Sequence, residues 1–333
     1  MVLPSVEHII YSIAYGSSLA LLCLGLTLTY MVTKVPNFAH ATLAMVGSAV
    51  TLILLDRFYH ELLGSSVYYT LYIVAPLLAF PLVGFTALAQ YLVILRPLAR
   101  RGIGVIGLMI ATLAFDIILV NILTLILYLA PSEYFGKLIG QSLKGFDRSI
   151  TILGVNTFAS RLLLPFIAII LAVALHLFLT KTKFGVSLRA SIENPDLARV
   201  LGINVDLAYM VSWFLAGGLA GVSGALIVFM LESYKPAVSS LIIVSIFAGS
   251  IVGGLSSIYG ALLGGFLVGF MEPMAVIVLQ NLMSSLGVPI TITQYQRLFS
   301  LLVVIVTLLL APQGLAGLDL RGLAGKVGLR GSR

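Results

Sequence analysis

Residues 103–130 read "IGVIGLMIATLAFDIILVNILTLILYLA". The stretch holds one ionisable side chain of either sign, Asp116, and is otherwise dominated by branched and long aliphatic residues. About 20 apolar residues in a helix cross the roughly 30 Å hydrocarbon core of a bilayer, so this run is long enough to span. It also lacks the period-two alternation of a lipid-facing barrel strand. Working outward, comparable runs occur at 9–33, 37–55, 67–95, 161–180, 207–231, 238–257, 258–281 and 294–311. The expectation is an all-α, polytopic integral membrane protein with about 8–10 transmembrane helices. The candidate for a broken or re-entrant segment is 37–55.

Composition agrees. Hydrophobic residues make up 60% and charged residues 9% of the chain, with mean hydropathy +1.14; soluble domains carry about 25% charged residues. The net charge of +7 does not call for nucleic acid. The basic residues sit in short interhelical segments and a tail, where anionic lipid headgroups attract them. Cys23 lies within an apolar run and is read as a small buried hydrophobe, so disulfides play no part. The first run is too long for a signal h-region and no small-residue cleavage site follows it, so it is kept as structure.

Three basic clusters set the orientation: Arg96, Arg100 and Arg101; Lys181, Lys183, Arg189 and Arg199; Arg321, Lys326, Arg330 and Arg333. The positive-inside rule places all three in the cytoplasm. Span parity agrees, because two spans separate the first two clusters and four separate the last two. Residues 131–160 then form an external segment, 181–206 a cytoplasmic loop, and 319–333 a basic cytoplasmic tail after a permease domain of residues 1–318. Spans six to eight carry small residues four apart, among them Gly217 and Gly221, Gly249 and Gly253, Gly260 and Gly264. Such spacing lets helix backbones approach closely in lipid. Pro76, Pro81 and Pro273 are expected to kink or break their helices.

Asp116, Glu272, His176, Asn121, Gln90 and Gln280 lie in or near apolar runs, where polar groups are costly. Asp116, Glu272 and His176 could form a proton relay, but they stand in three different spans, and the plainer expectation is that each is hydrogen-bonded to another helix or lies near an interface. His40 has no second ligand one or two turns away, so metal binding is not expected. Neither a phosphate-binding G-x-x-x-x-G-K-[ST] loop nor an H-E-x-x-H or G-x-S-x-G motif occurs. No catalytic, cofactor-binding or metal-ligating residue is assigned, and ATP would be hydrolysed by a partner.

The loop 183–206, "KFGVSLRASIENPDLARVLGINVD", mixes Val186, Leu188, Ile192, Leu197 and Leu201 with Arg189, Glu193, Asp196 and Arg199. Pro195 divides it into two short helical pieces and Gly202 stops the second. Its mixed charge suits a groove on a partner better than simple adhesion to lipid. "NFAH" at 37–40 opens an otherwise apolar stretch. A helix end there would leave N–H groups unpaired, which a water-filled path tolerates and lipid does not.

These residues carry a resemblance. "TKFGVSLRASIENPDLARVLGIN" (182–204) resembles the cytoplasmic loop of the ABC transporter permeases for branched-chain amino acids, with Thr182, Gly185, Arg189, Ala190, Asn194, Ala198, Gly202 and Ile203 on its pattern. "VPNFAHATLAMVGSAV" is similar to that family's N-F-A-H segment and "ILRPLARRG" to its R-P-L turn. "FLAGGLAGVSGAL" and "VGGLSSIYGALLGGFLVGFME" resemble its glycine-rich spans, and "APQGLAG" its closing motif. N-F-A-H and R-P-L point to the H-type permease subunit. The family commonly has Gly and an acidic residue after N-F-A-H, where Ala41 and Thr42 stand here, and Arg before the closing Pro, where Ala311 stands.

The resemblance implies alternating access in an ABC importer. Its partners would be cytoplasmic ATP-binding subunits, a second permease subunit, an extracytoplasmic substrate-binding protein and the lipid membrane. It assigns Arg189, Glu193, Asn194, Arg199 and Gly202 to ATPase coupling, and Asn37, Phe38 and His40 to the substrate path. A urea or short-amide permease, a secondary ion-coupled carrier relying on Asp116 or Glu272, and a passive channel are the alternatives.

Overall fold

The computed structural model describes residues 5–57, 67–129, 147–152, 154–231, 234–287, 296–310 and 314–317. Apolar sequence becomes helix because every backbone N–H and C=O must be paired within the segment once water is absent. The chain forms α1 (Val6–Thr33), α2 (His40–Arg57) and α3 (Val67–Gln90). A π turn (Tyr91–Leu95) joins α3 to α4 (Arg96–Arg100), and α5 (Val105–Leu129) follows. A hairpin of β1 (Ser149–Ile152) and β2 (Val155–Phe158) leads into α6 (Ala159–Lys181). The second half comprises α7 (Lys183–Glu193), α8 (Pro195–Val200), α9 (Val205–Ile227), α10 (Ser239–Gly253), α11 (Ile258–Ser285) and α12 (Gln296–Leu310).

Among the described residues, seven helical stretches are long and apolar enough to cross a membrane, and two shorter apolar ones, His40–Leu55 and Gln296–Leu309, accompany them. All nine expected runs are therefore helices, and the protein is a multi-pass membrane protein. Of the expected kinks or breaks, no break forms: Pro76 and Pro81 lie inside α3 and Pro273 inside α11, each within one continuous helix. Pro97 does shape its surroundings. A proline ring crowds the carbonyl one turn earlier, here Val93, and the wide π turn there moves that carbonyl aside.

The core is built on α1, α2, α3, α9, α10 and α11. Small residues set their spacing: a Cβ placed on Gly224 of α9 would lie 1.8 Å from the Ala44 carbonyl oxygen of α2, and one on Gly253 would lie 2.0 Å from that of Gly260. Hydroxyls staple the same interface, with Ser48 Oγ donating to Gly224 O at 2.7 Å and Thr51 Oγ1 to Ala225 O at 2.7 Å. Such contacts replace the hydrophobic drive that is missing between helices in lipid. Cys23 is buried, and its thiol donates to Ile246 O.

Several of the isolated polar groups of the apolar runs are answered across helices, while Asn121 donates to Ile117 O one turn back in its own helix. Glu272 of α11, 1% exposed, pairs with Arg297 of α12 and accepts from Ser300 at 2.8 Å; Arg297 also donates to Tyr15 of α1 and Ser245 of α10. His176 of α6 bonds Tyr259 of α11 at 2.6 Å. These bonds fit the structural expectation, and Asp116, Glu272 and His176 have separate partners.

The two ends of the bundle differ. At one, Glu7 pairs with Arg161, whose guanidinium lies over the Tyr11 and Phe158 rings beside the hairpin. There Asp147 accepts from Tyr72 Oη at 2.6 Å and from Ser160 Oγ at 2.5 Å; burial pushes its carboxyl above the ordinary range while these donors pull it back. At the other end, the close of α1, α4 and the loop preceding α9 come together around Asp206, which accepts from Arg96 at 2.5 Å and Arg100 at 2.9 Å. Residues 131–146 and the tail 319–333, to which external and cytoplasmic places were assigned from the sequence, lie outside the described residues.

Candidate functional site

Two regions were singled out from the sequence. In the loop 183–206, local chemistry dictates the shape. Thr182 caps α7, accepting from Gly185 N at 2.9 Å and donating to Phe178 O at 2.6 Å. Gly185 lets α7 fold back on α6, since a Cβ there would lie 2.1 Å from the Phe178 carbonyl oxygen. Asn194 then caps α8 by accepting from Leu197 N at 3.0 Å, with Pro195 in the first turn. Gly202, at φ +80°, closes α8 with Gly202 N bonded to Arg199 O and Ile203 N to Ala198 O, the paired bonds of a left-handed C-cap. Asn204 caps α9 in turn. The two expected helical pieces and the stop at Gly202 are present.

The five coupling candidates thus divide by task. Asn194 and Gly202 form the loop's corners. Arg199 pairs with Asp196 at 2.9 Å on the surface, and Arg189 and Glu193 line a cavity of about 500 Å³ together with Lys34, His176 and Tyr259. Leu188, Ser191 and Ala198 face inward and are buried. The outward face is apolar at its far end: Leu197 is 54%, Val200 83% and Leu201 69% exposed. Val200 was missed from the sequence because one apolar residue in a mixed-charge loop does not reveal which way it points.

The N-F-A-H turn is not an open wall. Asn37 and His40 are fully buried. Asn37 and Gln90 of α3 form a closed amide pair, with Gln90 Nε2 to Asn37 Oδ1 at 2.8 Å and Asn37 Nδ2 to Gln90 Oε1 at 3.2 Å; Ala39 N also donates to Asn37 Oδ1. His40 lies against Gly25 of α1, and among the described residues neither ring nitrogen has a hydrogen-bond partner. Phe38 is half-buried, its ring 5.0 Å from Phe247 and its N–H bonded to Thr112 Oγ1 of α5. One turn further along α5, Asp116 accepts from Thr42 Oγ1. Gln90, Thr112 and Asp116 complete this polar cluster. Their signal in the sequence was a polar group within an apolar run, which does not reveal its partner.

A profile of the family described as "Branched-chain amino acid transport system / permease component" matches residues 8–308. The chain belongs to this family. It is 43% identical over 309 residues to the probable branched-chain amino acid transport permease protein LivH of Methanocaldococcus jannaschii, covering 92% of this chain and 91% of that one. It is 25% identical over 315 residues to the high-affinity branched-chain amino acid transport system permease protein LivH of Salmonella typhimurium, covering 93% and 95%. The corresponding BraD protein of Pseudomonas aeruginosa is 25% identical over 334 residues, with 95% and 98% covered. No solved structure matches the chain. The match spans both the N-F-A-H turn and the capped loop, so the resemblance found in separate motifs is a property of nearly the whole chain.

Proposed function

We propose that the protein is the membrane-spanning permease subunit of an ABC importer and moves branched-chain amino acids inward by alternating access. It works without ATPase chemistry of its own: cytoplasmic ATP-binding subunits use the ATP, a second permease subunit completes the path, and an extracytoplasmic binding protein delivers the substrate. The basic end with 96–101 and 181–206, and the C-terminus, lie in the cytoplasm, and the hairpin end lies outside.

The observation that carries this reading is the exposed apolar tip at the end of α8, Leu197, Val200 and Leu201, with the Arg199–Asp196 pair on the same short helix and capped corners on either side. A force-bearing contact needs shape and several simultaneous interactions, because a single exposed ion pair contributes only about 0–1 kcal/mol. Family membership supports the same assignment. The test is reconstitution with ATP-binding subunits in proteoliposomes. Val200→Asp should weaken their binding by about tenfold or more, the equivalent of about 1.4 kcal/mol. The double variant Arg189→Ala and Glu193→Ala should still insert and accept substrate, yet hydrolyse ATP without matching uptake. Full coupling and full ATPase binding in both would refute the docking role.

A further inference from the structure

Charge compensation within the bundle is uneven. Glu272 is answered by Arg297, Glu7 by Arg161, and Asp206 by Arg96 and Arg100. Asp147 is held by the hydroxyls of Tyr72 and Ser160 beside the hairpin, at the end of the bundle. Asp116 differs from all of these. It is the twelfth residue of the 25-residue apolar helix α5, close to its middle. Among the described residues no Lys, Arg or His forms an ion pair with it, and its hydrogen-bond donor is Thr42 Oγ1.

A carboxylate at membrane depth is costly and is normally paired or placed on a path for ions or substrates. Asp116 is half-buried, so it is not sealed into the core. Its surroundings suit a small amphipathic ligand. Thr112, one turn away on the same helix, bonds Phe38 N–H, so α5 presents a hydroxyl and a carboxylate side by side to the N-F-A-H turn. The ring of Phe38, the residue whose N–H Thr112 holds, packs against Phe247 and gives that turn an apolar surface.

We propose that Asp116, positioned by Thr42, is the station for the ammonium group of the transported amino acid. The cation that no described residue provides is then supplied by the cargo, and the aromatic surface takes its aliphatic side chain. This rests on the amino-acid reading above and sharpens it, because urea and short amides bring no cation and would leave the carboxylate uncompensated.

The test uses the complete importer, with both permeases, ATP-binding subunits and binding protein, in proteoliposomes supplied with radiolabelled leucine. Asp116→Asn, which keeps shape and the bond to Thr42 but not the charge, should cut uptake about tenfold or more, the scale of one lost charge-assisted hydrogen bond. ATP hydrolysis stimulated by the loaded binding protein should persist, showing that the complex assembles, and Asp116→Glu should recover part of the uptake. Wild-type uptake by the Asn variant would overturn the proposal and identify Asp116 as a neutral partner of Thr42. Should the variants fail to assemble, the wild-type importer decides: a hydrophobic carbodiimide should modify Asp116, and leucine-loaded binding protein with ATP should slow that modification, with paired Glu272 as control. Labelling of Asp116 indifferent to leucine would overturn it. A wild-type importer that carries urea or acetamide but not leucine would instead overturn the amino-acid reading itself.

Discussion

At the scale of single residues, the structure separates what holds the N-F-A-H turn from what could touch cargo. Asn37 and Gln90 satisfy each other in a fully buried pair. Removing either amide leaves the other as an unsatisfied buried group, which costs about 1–3 kcal/mol. Asn37→Ala and Gln90→Ala should therefore lower thermal stability by similar amounts, and the double variant by less than their sum. A thermal-shift series on the purified protein checks this, and strict additivity would disprove the pairing. Had Asn37 been only a helix cap, Gln90→Ala would not reproduce its effect. Asn37 and His40 were legible as polar residues needing an explanation, but burial inside the subunit was not. An apolar context reads the same whether the neighbouring surface is lipid or another helix.

At the scale of elements, the loop of α7 and α8 was the most legible part of the chain, because its punctuation is local. Thr182, Asn194, Pro195, Gly202 and Asn204 each act on residues within four positions. Gly185 is the exception, needed for the return of α7 against α6. Gly185→Ala should push α7 away from Phe178 and impair ATPase docking at normal expression, measured by co-purification of the ATP-binding subunits; unimpaired recovery would argue against a rigid loop. Helix α12 shows the opposite case. Its anchor is Arg297, reaching Glu272, Tyr15 and Ser245 on three other helices. Breaking a buried pair by removing one partner costs about 3–5 kcal/mol, so Arg297→Leu should destabilise far more than Glu272→Gln with Arg297→Gln together. Equal melting temperatures for the two would contradict an anchoring role. Nothing near Arg297 in the sequence announces Glu272, which lies 25 residues earlier.

At the scale of the whole molecule, the two ends are chemically distinct and α1 runs between them, from Glu7 beside the hairpin to Thr33 near Arg96 and Arg199. With Cys23 replaced, a single cysteine at position 100 or 201 should be labelled by an impermeant reagent only from the cytoplasmic side, and one at position 149 only from outside. Labelling of position 100 on intact cells would invert the assignment. Helix α5 is the most loosely covered of the seven candidate spans, with 17% of its most apolar stretch buried, against 89% for the span that begins with α9. That contrast places α9 at the centre of the subunit and leaves α5 free to meet lipid or another protein chain.

By itself the sequence determined the all-α membrane class, the nine apolar helices, the capped loop and the basic clusters. Each depends on local length, composition or short-range hydrogen bonding, and those need no knowledge of distant neighbours. Only the tertiary structure decided that Asn37 meets Gln90, that Arg297 answers Glu272, that Thr42 meets Asp116, and that no described cation pairs with Asp116. In an almost uniformly apolar chain hydrophobic periodicity barely distinguishes core from lipid. Partner choice instead depends on where glycines let two backbones approach and on which rare polar groups then come within hydrogen-bond reach.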